Sequence, residues 1–257
     1  MGLHILLVND DGFDSRNLRL MAQACIKRGH RVTVVAPHTQ QSAKSHAFTI
    51  FTPLLVHEAH MEGVENAYRV EGTPVDACRV GMLGLCEEKI DLVISGINEG
   101  YNIGLATFVS GTVGAAREAA FQGYPALAVS MEMQTPAETA EAFADYAVRT
   151  GEKMLHSKLP EQTVVNLNAP PVPLRQIRGS RMCPITRHVY KDGYDKRISP
   201  RGLLYFWLRE EETDMHPNPG SDLDLLQKGF VTCSFLTPEG FPMEEYLHFP
   251  LPWGEDM

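Results

Sequence analysis

The chain has no apolar run long enough to cross a bilayer as a helix. It holds 2 tryptophans and 5 cysteines in 257 residues. Cys25, Cys78, Cys86, Cys183 and Cys233 are odd in number and scattered, and no two form a C-x-x-C pair. That excludes a disulfide framework and a zinc knuckle. Basic residues are in deficit: 23 Lys and Arg stand against 32 Asp and Glu, a formal net charge of -9. A general nucleic-acid binder would carry a basic footprint, so no nucleic-acid polymer is expected as a partner. A small phosphorylated substrate stays open, because one site can be cationic through a metal and helix N-termini. There is no internal repeat and no low-complexity stretch. No basic, apolar leader precedes the first strand, so the expectation is a cytoplasmic protein with reduced thiols and no membrane partner.

What is present is an alternation of strand and helix signals. The apolar run Ile5 to Val8 reads as a strand covered on both faces. Ser15 opens a helical pattern through Leu18, Met21, Ala22 and Cys25, and Gly29 closes it as a left-handed cap. Arg31 to Ala36 is a second strand, stopped by Pro37. The unit is strand–helix–strand of the parallel, right-handed kind. Further on, Asp91–Ser95, Ala126–Ser130, Val164–Asn168 and Phe230–Leu236 read as strands. Pro74–Leu85, Gly111–Gln122, Pro136–Leu155 and Ser221–Lys228 read as helices. Phe48–Val56 and Ala67–Val70 alternate less cleanly and are expected as antiparallel edge strands. Gly96–Val109 has neither period. The fold class is therefore α/β: a Rossmann-like, mostly parallel sheet with helices on both faces, in one domain over residues 1–257. Residues from about 187 to 212 form a hairpin-like excursion within it.

In open parallel sheets, ligands bind outside the carboxyl ends of the strands. Four polar segments fall there: Asn9–Gly12, His38–Ser45, Gly96–Ser110 and Asn166–Asn168. The first is the most informative. An apolar strand stops on Asn9-Asp10-Asp11-Gly12. Adjacent ionised carboxylates repel, and a hard cation such as Mg²⁺ or Mn²⁺ compensates them well. The alternative is that Asp10 or Asp11 caps a helix and fills a turn. In the second, Ser95-Gly96-Ile97-Asn98, the carbonyl oxygen of Asn98 can complete a cation site without adding charge, and its amide can donate to a phosphate. An ordinary polar loop with Asx-turns is the plainer reading. In the third, Ser110-Gly111-Thr112 precedes a small-residue helix whose first-turn N–H groups suit an anion. Helix capping by Ser110 or Thr112 accounts for the same residues. Ser42 offers a neutral hydroxyl ligand; no G-x-S-x-G elbow surrounds it.

Together these segments resemble the SurE family, the survival protein E-type nucleotidases and acid phosphatases. The resemblance covers nearly the whole chain. It runs from Asn9-Asp10-Asp11-Gly12 through Val35-Ala36-Pro37 with Ser42, Gly72-Thr73-Pro74 with Asp76, Ser95-Gly96-Ile97-Asn98 and Ser110-Gly111-Thr112-Val113. It continues to Pro200-Arg201-Gly202, Asp222 and Gly229-Phe230-Val231. It implies a metal-dependent 5'-nucleotidase that hydrolyses nucleoside 5'-monophosphates to nucleoside and phosphate, with broader phosphatase activity as a wider expectation. It also implies one divalent metal ion per subunit, Mg²⁺ or Mn²⁺, held by Asp10, Asp11, Ser42 and Asn98, with Asp10 and Asp11 catalytic. Phosphate and substrate contacts fall to Asn9, Asn98, Ser110, Gly111 and Thr112. A homodimer or homotetramer built partly by the late hairpin is implied as well. Ala43, Ala77 and Ala106 depart from the family's usual residues, and none of them is a proposed ligand.

Two other functional classes fit the residues alone. A nucleotide-dependent transferase would use the two aspartates on a metal–diphosphate, but no second-substrate module is evident. A nucleotide- or metal-sensing module could use the same scaffold. Within a hydrolase, water oriented by Asp10 or Asp11 is the simpler route. Attack by an aspartate is the alternative, although the D-x-D-x-T pattern is absent.

Overall fold

The computed structural model describes residues 2–186, 192–210 and 217–238. In chain order the elements are β1 (His4–Val8), α1 (Arg16–Lys27), β2 (Arg31–Pro37), β3 (Val56–Glu58) and β4 (Asn66–Val70). Next come α2 (Pro74–Val80), β5 (Leu92–Glu99), α3 (Ala106–Val109), α4 (Gly111–Phe121), β6 (Ala126–Met131), α5 (Ala137–Met154) and β7 (Val164–Ala169). The last are β8 (Ser180–Met182), β9 (Asp192–Ile198), β10 (Leu204–Glu210), α6 (Asp222–Gln227) and β11 (Val231–Leu236). Nine strands form one sheet in the order β3-β4-β2-β1-β5-β6-β7-β11-β8. From β4 to β7 every neighbouring pair is parallel. β3 and β11 run antiparallel to β4 and β7.

β1 shows why both sheet faces are covered. Successive strand side chains point to opposite faces. Ile5 and Leu7 join the core under α1 and α5 with Met21, Cys25, Phe143 and Ala147. Leu6 and Val8 join the core under α2 and α4 with Ala77, Val113 and Ala116. Ser15 caps α1 by accepting from the Leu18 amide at 3.4 Å, and Gly29 follows the helix at a φ of 82°. All five cysteines are free thiols, and Cys25 lies fully in the core as a small apolar residue.

The chain passes from β1 to β2 on one side and returns to β5 on the other. This reversal opens a crevice at the carboxyl ends of β1 and β5.

Several expectations need correction. Of Phe48–Val56, only Val56 enters a strand, β3; Phe48, Ile50, Phe51 and Leu55 are exposed, and Pro53 has no amide to give a ladder. β4 is not an antiparallel edge strand but pairs parallel with β2, and only β3 runs antiparallel beside it. Gly96–Glu99 is not loop. β5 continues through it past a register shift between Ser95 and Asn98, where Gly96 sits at a φ of 135° and precedes a cis peptide bond. Ala106–Val109 is one turn of helix, and β8 had no sequence signal. The expected excursion is real: β9 and β10 form a separate two-stranded antiparallel sheet. Residues 187–191, 211 and 212 of the expected range lie outside the described residues, Tyr190 among them.

Candidate active site

The first turn after β1 is built by close approach. Asn9 is buried, and its Nδ2 donates to the Gly12 carbonyl at 2.9 Å. Its Oδ1 is also buried and has no hydrogen-bond partner. Gly12 adopts a φ of 93°, and a Cβ there would lie 3.1 Å from the Thr39 carbonyl carbon. Glycine therefore lets the loop after β2 pass directly over the turn. That loop is tied down where the Gln41 amide donates to the Asp10 carbonyl at 2.7 Å.

Asp10 is only 4% exposed. Its Oδ1 accepts from the Thr112 hydroxyl at 2.5 Å, and its Oδ2 accepts from the Thr112 amide at 3.2 Å. The carboxylate thus occupies the positive N-terminus of α4. Gly111 is required for this approach: a Cβ there would stand 3.0 Å from Asp10 Oδ2 and 2.9 Å from Pro74 Cγ. Ser110 spends its Oγ as the N-cap, accepting from the Val113 amide at 3.1 Å. The capping reading holds for Ser110, and the first turn of α4 faces the chain's own Asp10.

Asp11 is half-buried, and its Oδ2 accepts from the Glu99 amide at 3.1 Å. It is therefore fastened to the end of β5, one residue beyond Asn98. Asn98 donates from Nδ2 to the Gly100 carbonyl at 2.8 Å, while its Oδ1 takes no hydrogen bond from the described residues. Ser42 is exposed and accepts from Gln40 Nε2 at 3.2 Å. Its hydroxyl bonds to none of the other site residues, so it belongs to the site only through the Gln41–Asp10 backbone bond.

The electrostatics are those of an undercompensated acid pair. Burial pushes the Asp10 carboxyl above its usual range, against the opposing Thr112 hydrogen bonds. Burial, then the Asp10 charge, push Asp11 up to about 7. The donors this end of the sheet offers are oxygens, two desolvated carboxyls and the buried, unpaired Asn9 Oδ1 among them, and that chemistry suits a hard divalent cation. Among the described residues, no three His, Cys, Asp or Glu side chains gather as a metal-holding group. The candidate set has two carboxylates and neutral oxygens instead. A depression of about 580 Å³, lined by His38, Thr39, Gln41, Lys44, Gly72 and Thr73 among others, lies against the same loop.

Sequence reasoning missed the backbone groups that hold the acids, the Gln41 and Glu99 amides, because an amide carries no residue-type signal. It also missed a buried charge cluster on the flank of α4. There Glu118 accepts from His46 Nε2 at 2.8 Å and from Gln122 Nε2 at 3.1 Å, and pairs with Arg79. A lone acid in the alanine-rich run of α4 was the available hint.

The model of the family described as survival protein SurE matches residues 5–192. The chain belongs to the SurE family. A SurE relative from Nitratidesulfovibrio vulgaris (strain Miyazaki F), named 5'-nucleotidase SurE, is 44% identical over 245 residues, covering 94% of this chain and 88% of its own. The 5'-nucleotidase SurE of Oleidesulfovibrio alaskensis is 45% identical over 239 residues, covering 93% and 90%. Among solved structures, the SurE protein from Aquifex aeolicus superposes with a TM-score of 0.75 at 34% identity, covering 91% of this chain and 93% of its own. The SurE family thus accounts for the sheet and its helices as well as for the motifs.

Proposed function

We propose that this chain is a metal-dependent 5'-nucleotidase: a phosphomonoesterase that converts nucleoside 5'-monophosphates to nucleoside and inorganic phosphate. The observation that carries the reading is the Asp10–Asp11 pair at the end of β1, Asp10 buried and docked on the N-terminus of α4 and Asp11 half-buried beside it. It stands in a SurE-family chain whose relatives bear the name 5'-nucleotidase. Asp10, Asp11, Ser42 and Asn98 would hold one Mg²⁺ or Mn²⁺ per subunit. When bound, such an ion offsets the charge of the phosphate dianion and acidifies a bound water.

The chain's own groups do the rest. A carboxylate of Asp10 or Asp11 orients water opposite the leaving 5'-oxygen. A bond forms from the water oxygen to phosphorus as the P–O5' bond breaks; the water's proton passes to a carboxylate of Asp10 or Asp11 and from there to the leaving 5'-oxygen, which departs as the nucleoside hydroxyl. Ser110, Gly111 and Thr112 border the phosphate at the α4 turn with Asp10 still docked there, and Thr112 acts by fixing Asp10 rather than by donating to the non-bridging oxygens. Asn9 and Asn98 border the same turn with amide groups. The depression beside His38 and Lys44 is where the nucleoside part has room.

The chain acts as one domain in the cytoplasm, as a homodimer or homotetramer. The described residues contain no helix long and apolar enough to cross a membrane. The hairpin supports the assembly. Tyr194, Ile198, Leu204, Phe206 and Leu208 share one face of β9–β10 by register, and all are exposed. A two-stranded sheet with such a face is marginal alone. The function is tested by measuring free phosphate from a panel of nucleoside monophosphates with Mg²⁺, Mn²⁺ or EDTA. Release that needs the metal is expected.

A further inference from the structure

The stretch from Gly100 to Ser110 joins two parts of the site and has almost no regular structure of its own beyond one turn of helix, α3. Its backbone polar groups are captured instead by buried side chains from distant elements. At Asn102 the amide donates to Asn168 Oδ1 at 2.9 Å. The Asn102 carbonyl accepts from Asn166 Nδ2 at 2.8 Å and from Asn168 Nδ2 at 3.1 Å. The Asn102 side chain donates from Nδ2 to Ser130 Oγ at 2.8 Å. All four residues are buried. The register explains the convergence: Asn98 pairs with Ser130 across β5–β6, and Ser130 pairs with Asn168 across β6–β7. Two residues further on, the Gly104 amide donates to Asp222 Oδ2 at 2.8 Å.

Buried polar groups of this kind have large costs when left unpaired, so the bonds among Asn102, Asn166, Asn168 and Ser130 favour one geometry, with Asn166 Oδ1 the buried atom of the set that has no partner. Asn168 engages both backbone groups of a single residue in the manner of a peptide pair. No backbone ladder reaches Asn102, because β5 ends at Glu99. The segment is thus pinned between a candidate ion ligand, Asn98, and the α4 turn that holds Asp10.

We propose that Asn166 and Asn168 are positioning residues for the hydrolytic site: they clamp Asn102 and so set where Asn98 and the Ser110–Thr112 turn stand relative to Asp10 and Asp11. The inference rests on the functional reading above. Its test uses the full chain with Asn168→Ala, reading Mn²⁺ binding by calorimetry, amide exchange over residues 100–105, and kcat and KM. The far-UV spectrum is expected to stay unchanged while exchange at Asn102 and Gly104 accelerates. Mn²⁺ affinity is expected to fall about tenfold, the size seen when a partner that orients a metal ligand is removed, with kcat falling more than KM rises. Asn166→Ser, which removes one of two donors to the same carbonyl, should show the same pattern at about a third of that size, and it carries the test if Asn168→Ala does not fold. Folded variants with wild-type Mn²⁺ affinity and wild-type kcat overturn the proposal, even if exchange has changed. A wild-type chain that neither binds Mn²⁺ nor releases phosphate fails the functional reading itself and takes the proposal with it.

Discussion

Asp10 and Thr112 are joined twice, hydroxyl to Oδ1 at 2.5 Å and amide to Oδ2 at 3.2 Å, across 102 positions of sequence. The pair locks the end of β1 to the first turn of α4. Thr112→Val keeps the shape and removes the hydroxyl donor. A buried hydrogen bond to a charged group contributes about 1.5–3 kcal/mol. The expected loss in kcat/KM is therefore about ten- to hundredfold, with Thr112→Ser restoring most of it. Equal kcat/KM for Thr112→Val and wild type would show that Asp10 is placed without this contact.

Asp11→Asn removes one charge from the acid pair and preserves volume. Fold and melting temperature should survive, since Asp11 receives a single amide hydrogen bond, from Glu99. Turnover should fall on the order of a hundredfold or more, comparable to removing a key transition-state contact. Near-normal turnover that still needs metal would make Asp11 only a turn residue.

Glu118 sets an acid limit on stability. Burial pushes its pKa up, but hydrogen bonds from His46, Gln122 and Arg79 and the Arg79 charge outweigh this, and the net direction is down. A carboxyl held lower in the folded chain stabilises above its unfolded pKa of about 4.3, and that contribution disappears as pH falls through the folded value. Glu118→Gln should cost about 1–2 kcal/mol at neutral pH, because Arg79, a third exposed, then faces a neutral amide that water partly replaces. The gap between variant and wild type should close below about pH 4. Urea denaturation at both pH values measures it, and a gap independent of pH would contradict the assignment.

The sheet was readable because its strands are apolar runs bounded by Gly, Pro and Asp, and because helices with 3.6-residue spacing lie between them. The acid turn was readable because two adjacent carboxylates at a strand end have few packing reasons to be there. What failed has a common cause in tertiary context. Gly96 hides a strand that bends and continues to Glu99. Phe48 to Leu55 has strand-like composition but finds no ladder. The short β8 exists only because β11 lies beside it. Likewise, Thr112 has the composition of a free phosphate donor, yet both its donors are turned to Asp10. Only the long-range approach allowed by Gly111 shows that.

Leu208→Asp and Phe206→Asp place charges on the apolar face of the β9–β10 hairpin, where both side chains are exposed in the single chain. If that face is buried between copies, these variants should lower the mass seen by light scattering while leaving the far-UV spectrum intact. An unchanged mass in both variants would place the assembly contacts elsewhere. One-chain mass for the wild type over a wide concentration range would remove the assembly.

The most direct measurement is phosphate release from a nucleoside 5'-monophosphate by the wild-type chain and by Asp10→Asn, each with Mn²⁺ and with EDTA. The account predicts steady release by wild type with Mn²⁺ and its abolition by EDTA. Asp10→Asn should retain about a hundredth of the activity or less. Release that persists in EDTA, or that survives Asp10→Asn undiminished, would contradict an acid-pair, metal-dependent nucleotidase.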